Sequence, residues 1–333
     1  MTVGRRSILF GGALAAAGLI SYPLNHRRNP PRAPVFIARH QRYDGALLIG
    51  TIRDGLTAAG LNVAALQGRR VLLKPNLVEP SRDCPQMTTH PAMIAAAAEV
   101  FRQWGAEVSV GEGPGHVRDT EMALVESGVQ ELLDSAGLPF QDLNYEDVGW
   151  VKNAGGESRL PGFFFPRSVL EADLVVTMPK MKTHHWQGVT ASLKNMYGVI
   201  PGIKYGWPKN VLHYAGIPQT VVDINASLPA TIAIVDAIDC MEGDGPIMGT
   251  LKRMCLVVVG ASLPAVDATV CRLMGLNPHA VPYLRLADGK LGFLAQSRMV
   301  QCGEPWETVA SEFKILDLPH LQSLRPRSGE LVT

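Results

Sequence analysis

Five side chains able to carry positive charge or move a proton, Lys180, Lys182, His184, His185 and Lys194, fall within TMPKMKTHHWQGVTASLKNMYG, residues 177–198. They follow directly on an apolar run ending at Thr177. As extended chain, Lys180, Lys182 and His184 share one side with period two, while Met181, Thr183 and His185 take the other. A helix over about 188–198 then brings Lys194 and Asn195 to the same region and adds the positive end of its dipole. Such a set suits a phosphate, carboxylate or enolate. It suits a divalent metal poorly, because ammonium groups repel a cation. Crowding of Lys180, Lys182 and Lys194 lowers at least one ammonium pKa, giving an amine able to act as a base or a Schiff-base nucleophile. His184 is the natural proton carrier near neutral pH. A merely solvated basic strip would alternate with acids, and this one does not.

The elements that position these groups alternate in type. RRVLLKPNLV (69–78), AEVSVGEG, ADLVVTMP, ATIAIVDAI and MCLVVVGAS read as strands. HPAMIAAAAEVFRQWG reads as a helix with Thr88 or Thr89 near its N-cap, Pro91 in its first turn and Gly105 as its stop. Further helical stretches are DTEMALVESGVQELLDSAG, PQTVVDINASL and PAVDATVCRLMG. The alternation predicts an α/β fold: a mostly parallel, doubly wound, Rossmann-like sheet with helices on both faces, in one lobe or two.

Ligands of such sheets bind beyond the C-terminal strand ends. Lys74-Pro75-Asn76, the loop Gly111-Glu112-Gly113-Pro114-Gly115-His116, the 177–198 stretch, and Asp236 with Met241–Pro246 all fall there. Lys182, His184 and Lys194 are therefore the candidate catalytic residues. Lys74, Asn76, His90, Gly113, Gly115, Lys180 and Asn195 are the candidate substrate-binding residues. His90 precedes a helix N-terminus, where the dipole favours a neutral imidazole and an anionic ligand. The glycine loop is G-x-G-x-G, so a nicotinamide cofactor has little support, but its backbone N–H groups could form an anion nest if Glu112 has a cation or proton beside it. Asp236, Glu242 and Asp244 offer oxygens for a hard divalent cation such as Mg²⁺, or serve as salt-bridge partners of the lysines. Asp223 and Asp267 lie inside apolar helical segments and need partners there; Asp267 could cap or orient a loop. Acyl transfer is not indicated, since no G-x-S-x-G elbow occurs.

The remaining features bound the answer. At 333 residues and 47% hydrophobic, the chain can bury one large core. With 31 basic and 30 acidic residues there is no general attraction to nucleic acid, so any cationic patch is local. The five cysteines, Cys84, Cys240, Cys255, Cys271 and Cys302, contain no C-x-x-C pair and so offer no local iron–sulfur motif. Arg5-Arg6, the uncharged stretch Ser7–Ser21 and Ala15-Ala16-Ala17 resemble a twin-arginine export signal, followed by a linker marked by Pro23, Pro30, Pro31 and Pro34. The expected organisation is a signal segment and linker over 1–33 and one large α/β domain over 34–333. The destination is export by the twin-arginine machinery, to the periplasm or an outward-facing membrane anchor.

LLKPNLVEP, TTHP, GEGPG, PKMKTHHWQGVTASLKNMYG, AIVDAIDCMEGDGP and GASLPAVDA, in this order, resemble the domain-of-unknown-function 362 family. The resemblance runs from about residue 70 to about 290, and K-x-K-T-H with L-K-N-x-Y-G is its most specific part. It implies a large α/β domain, in some members exported by the twin-arginine route and in some joined to a ferredoxin-like segment; no C-x-x-C-x-x-C run is present in this sequence. The expected function is an exported enzyme acting on a small anionic ligand by lysine and histidine proton transfer. The alternatives are a redox-associated protein working with an iron–sulfur partner protein and a non-catalytic periplasmic oxyanion-binding protein.

Overall fold

The computed structural model describes residues 32–79 and 82–326; the Arg5-Arg6 segment lies outside the described residues. The strands are β1 (Ala33–Arg39), β2 (Arg70–Lys74), β3 (Glu107–Glu112), β4 (Phe140–Asp142), β5 (Val148–Lys152), β6 (Gly162–Pro166), β7 (Leu174–Thr177), β8 (Lys180–His184), β9 (Gly188–Thr190), β10 (Thr231–Glu242), β11 (Thr250–Gly260) and β12 (Met299–Gly303). Ten of them form one mostly parallel sheet in the order β12-β1-β11-β10-β7-β2-β3-β4, with β8 on β10 and β9 on β8. β11 runs antiparallel between β10 and β1. A short turn joins β10 to β11, and such a turn can only reverse the chain. β5 and β6 form a separate antiparallel hairpin.

Both faces of the sheet are covered, as runs of β-branched and aliphatic residues require. Val71, Leu73, Val176, Ile232 and Ile234 point to one side and pack with α1 (Gly45–Ala58) and α2 (Pro91–Gln103). Leu72, Val175, Ala233 and Val235 point to the other, toward helices that include α4 (Ile217–Ala226) and α5 (Leu263–Leu273). The split follows the two-residue period of each strand. Truncating a fully buried core residue such as Leu73 to Ala would cost about 2–5 kcal/mol.

Several boundaries differ from the sequence reading for local reasons. The N-cap of α2 is His90 itself, whose Nδ1 accepts from the Ala92 N–H at 3.1 Å, rather than Thr88 or Thr89. Pro91 takes the first turn as expected, and Gly105 follows in the left-handed region at φ 79°. The stretch 120–136 is two helices, Thr120–Ser127 and Val129–Ala136, because Gly128 adopts φ 73° between them. The 188–198 stretch is not one helix. Gly188 turns at φ 81°, the β-branched pair Val189-Thr190 returns along β8, and helix begins only at Ser192, where the short helix α3 (Ser192–Asn195) passes into a 3₁₀ helix over Met196–Val199.

The strand order fixes where a ligand can enter. β2 pairs with β3 on one side and with β7 on the other, so the winding direction reverses between β2 and β7. Lys74 and Thr177 are register partners at the C-terminal end of that gap. An open sheet of this kind offers its crevice at such a point.

Candidate functional site

At the end of β2 the chain turns Lys74 inward, leaving it 1% exposed. Its Nζ donates to Glu112 Oε2 at 2.5 Å, to Pro75 O at 2.7 Å and to Asn195 Oδ1 at 3.1 Å. Burial pulls this ammonium below the usual lysine range, and the Glu112 carboxylate opposes the pull. Glu112 ends β3 and also accepts from the Gly113 N–H, so the cation that the glycine loop requires is Lys74. Gly198 lies against this pair: a Cβ there would run into Glu112 Oε1 and Lys74 Nζ. That close approach explains the glycine of the L-K-N-x-Y-G stretch.

Asn76 and Asn195 extend the network. Asn76 Nδ2 donates to Asn195 Oδ1 at 3.1 Å, and Asn76 Oδ1 accepts from Lys182 Nζ at 2.7 Å. Lys182 also donates to Met87 O, and it is fully buried. Desolvation, then the neighbouring charges of Lys180, Lys194 and Lys74, push its ammonium well below the ordinary range. The Thr89 hydroxyl accepts from the Asn76 N–H and donates to Met178 O, which fastens the TTHP segment to the ends of β2 and β7.

The helix α3 is short, so its orientation needs outside support. Asp267 of α5 supplies it by accepting from the N–H groups of Ser192 at 2.7 Å and Leu193 at 3.0 Å. Desolvation raises the Asp267 carboxyl to about 7 against the pull of these bonds. Thus anchored, α3 turns Asn195 into the network and leaves Lys194 partly open to a cleft of about 160 Å³. Lys194 Nζ lies 4.3 Å from the centroid of the Tyr197 ring. It makes no hydrogen bond or ion pair with any described residue. Desolvation first, and then Lys74, lower its ammonium to about 8.

Imidazoles line the same cleft, among them His184, His116 and His213. His184 Nδ1 accepts from the N–H groups of Trp186 and Gln187, so the neutral ring carries its proton on Nε2. Burial, then Lys194, His185, Lys182 and His213, hold it well below the usual histidine range. His184 is therefore a neutral N–H donor near pH 7 rather than a group that titrates there. Burial likewise lowers His116 and His213.

Lys209 is a cleft residue that the motifs did not point to. It has φ 69°, a conformation that costs a side-chain-bearing residue about 1–2 kcal/mol. Its Nζ donates to Gly113 O at 2.8 Å and Tyr197 O at 3.1 Å, pinning the glycine loop to the turn after α3. Burial first, partly offset by Glu112, brings this ammonium down to about 7. Its surroundings in sequence, Gly206-Trp-Pro-Lys-Asn210, read only as a connection.

The structure brings Lys74, Asn76, Gly113, Gly115, His184, Lys194 and Asn195 to one cleft. Lys182 stands behind Asn76 instead of lining it. Lys180 and His90 belong to a second cluster around Asp236, whose Oδ2 accepts from Lys180 Nζ at 2.6 Å and from the His90 N–H at 3.0 Å. Tyr43 donates to Asp236 Oδ1 and stacks on His90 with ring centroids 3.7 Å apart. The proposed metal oxygens do not converge. Asp236 is held by Lys180, Glu242 lies between Lys252 and Lys314, and Asp244 lies 3.7 Å from His185. Among the described residues no group of three or more His, Cys, Asp or Glu side chains is arranged to hold a metal. Asp223 is satisfied away from the cleft by Asn153, Glu157 and Ser158.

A family model described as "Domain of unknown function (DUF362)" matches residues 71–272. The chain belongs to this family. The DUF362 match spans β2 through most of α5, and therefore includes Lys74, Glu112, Lys194, Asn195, Lys209 and Asp267. Over 286 residues the chain is 25% identical to a thylakoid-associated protein of Synechocystis sp., a likeness covering 84% of this chain and 87% of that protein.

Proposed function

We propose that the protein is an enzyme that binds a small anion, a carboxylate or phosphate, in this cleft and moves a proton on it with lysine and imidazole groups. One observation carries the reading: the Lys194 ammonium faces the cleft with no carboxylate and no hydrogen-bond partner among the described residues. A partly desolvated cation left in this way is unfavourable until an anion from solution meets it. The N–H groups of His184 and Lys209 are further donors beside it. Calorimetric titration with sulfate and with oxalate tests the idea. Saturable binding that falls about 10–100-fold in Lys194→Met, the worth of one or more charge-assisted hydrogen bonds, is expected. No saturable binding by the intact protein, or equal binding by the variant, would remove the basis for the assignment.

The site of action follows a separate line. Arg5-Arg6 and the uncharged stretch after them support export by the twin-arginine route, and the thylakoid association of a relative favours work at a membrane. Fractionation of the full chain in hosts with and without a working twin-arginine translocase decides this. Cytoplasmic location in both hosts would refute export.

A further inference from the structure

The amines near the cleft are not equivalent. Lys74 Nζ is committed to Glu112, Pro75 O and Asn195. Lys209 Nζ is committed to two backbone carbonyls, and Lys182 is held behind Asn76. Lys194 alone of these four keeps its nitrogen free of hydrogen bonds among the described residues, against the face of Tyr197. The groups whose charges act on it or feel it are Lys74 of β2, Lys182 and His184 of β8, His116 of the glycine loop, Lys209, and His213 of the helix Asn210–Ala215. Of these, Lys74, after burial itself, is the group that favours the Lys194 amine over its ammonium.

Resting on the anion-binding reading of this cleft, we infer that Lys194 forms a Schiff base with the carbonyl carbon of a small 2-oxo acid whose carboxylate the same cationic cleft holds. The neutral amine attacks the carbonyl carbon, the C=O π pair moves to oxygen, and a proton passes from nitrogen to that oxygen to give a carbinolamine. Uptake of one further proton and loss of water give the protonated imine, so the net step consumes one proton and releases one water. Solvent supplies that proton through the partly exposed His116 or His213. The Nε2–H of His184 and the remaining N–H of Lys209 are the donors for the carboxylate. No oxidant or reductant is needed. The lowering of the Lys194 ammonium to about 8 leaves a usable fraction of free amine at neutral pH.

The test is reductive trapping of the full chain with pyruvate or glyoxylate and borohydride, read by intact mass and peptide mapping. The expected product is one adduct, the oxo acid less one oxygen, on the peptide carrying Lys194. It should be absent in Lys194→Arg and Lys194→Gln, each first shown by circular dichroism to be folded. An adduct that persists in these variants, or maps to other lysines, overturns the inference. Sulfate titration separates the two readings. Sulfate binding by the wild-type chain without a Lys194 adduct overturns the Schiff base and leaves the anion site standing; neither sulfate binding nor adduct overturns both.

Discussion

Lys74 and Asn195 are bonded in both directions: Lys74 Nζ donates to Asn195 Oδ1 at 3.1 Å, and Asn195 Nδ2 donates back to Lys74 O at 3.2 Å. The same amide accepts from Asn76 Nδ2 and donates to Thr177 Oγ1, so its full hydrogen-bonding capacity is used. One side chain thereby joins α3 to the ends of both strands that flank the crevice.

Asn195→Ala should cost about 3 kcal/mol or more. It leaves Lys74, Asn76 and Thr177 short of partners in a buried site, and each such group costs about 1–3 kcal/mol. The check is the midpoint of urea unfolding at unchanged slope. A loss below about 1 kcal/mol would mean that water replaces the amide and that the network is not the brace described.

Two glycines of the cleft should respond oppositely to alanine. At Gly198 the added methyl meets the Lys74–Glu112 pair, and overpacking of this kind costs about 1–3 kcal/mol. At Gly115 nothing lies within 4 Å of the added atom and φ is not positive, so the variant should melt like the wild type. Equal melting temperatures for the two variants would show that the ion pair can move aside.

The strands and their faces were legible because Val71–Leu73 and Leu174–Val176 are continuous apolar runs whose alternate residues enter the two cores. The placement of Lys74, Asn76 and the glycine loop followed from the rule that parallel strands present their C-terminal ends to ligands. What the pattern could not reveal is which lysines look outward. Lys180 and Lys182 lie on β8, which pairs with β10 beyond the end of β7, and that pairing carries them behind the crevice. Lys209 and His213 stand in a segment without apolar periodicity, Lys209 in a turn and His213 on the short helix Asn210–Ala215, and the bonds from Lys209 Nζ to Gly113 O and Tyr197 O are what tie that segment to the cleft. The helix expected over 188–198 failed at Val189-Thr190, where a hairpin partner outweighs local propensity.

Asp267 should make stability depend on pH in the direction opposite to an ordinary salt-bridged aspartate. Its folded-state pKa of about 7 exceeds the ordinary 3.8, so between these values the folded state holds a proton that the unfolded chain has released. Its contribution is present below about 3.8 and is lost as pH rises through about 7, a change worth roughly 4 kcal/mol. The stability of wild type minus Asp267→Asn should therefore decline across that window in urea titrations. A flat difference would indicate that the Ser192 and Leu193 N–H bonds keep the carboxylate ionised throughout.

Lys182 and Lys194 provide the sharpest contrast, since both are lysines of the same motif and only one lines the cleft. Burial and three neighbouring lysines depress the Lys182 ammonium, so the folded state favours the neutral amine while the unfolded chain holds the proton up to about 10.5. This term destabilises the fold most at low pH and eases as pH rises toward 10.5. Lys182→Met removes it but leaves Asn76 Oδ1 and Met87 O short of a donor, so the stability of the variant relative to wild type should rise as pH falls, while sulfate affinity stays near wild type. Lys194→Met should instead weaken sulfate binding about 10–100-fold. In the wild type that affinity should fall as pH rises through about 7 and then about 8, where Lys209 and Lys194 give up their charges. Sulfate carries no titration of its own in this range, so calorimetry across pH 6 to 9 reads the protein groups directly. If Lys182→Met abolished binding and Lys194→Met did not, the ligand would have to sit behind Asn76, and the cleft would not be the site.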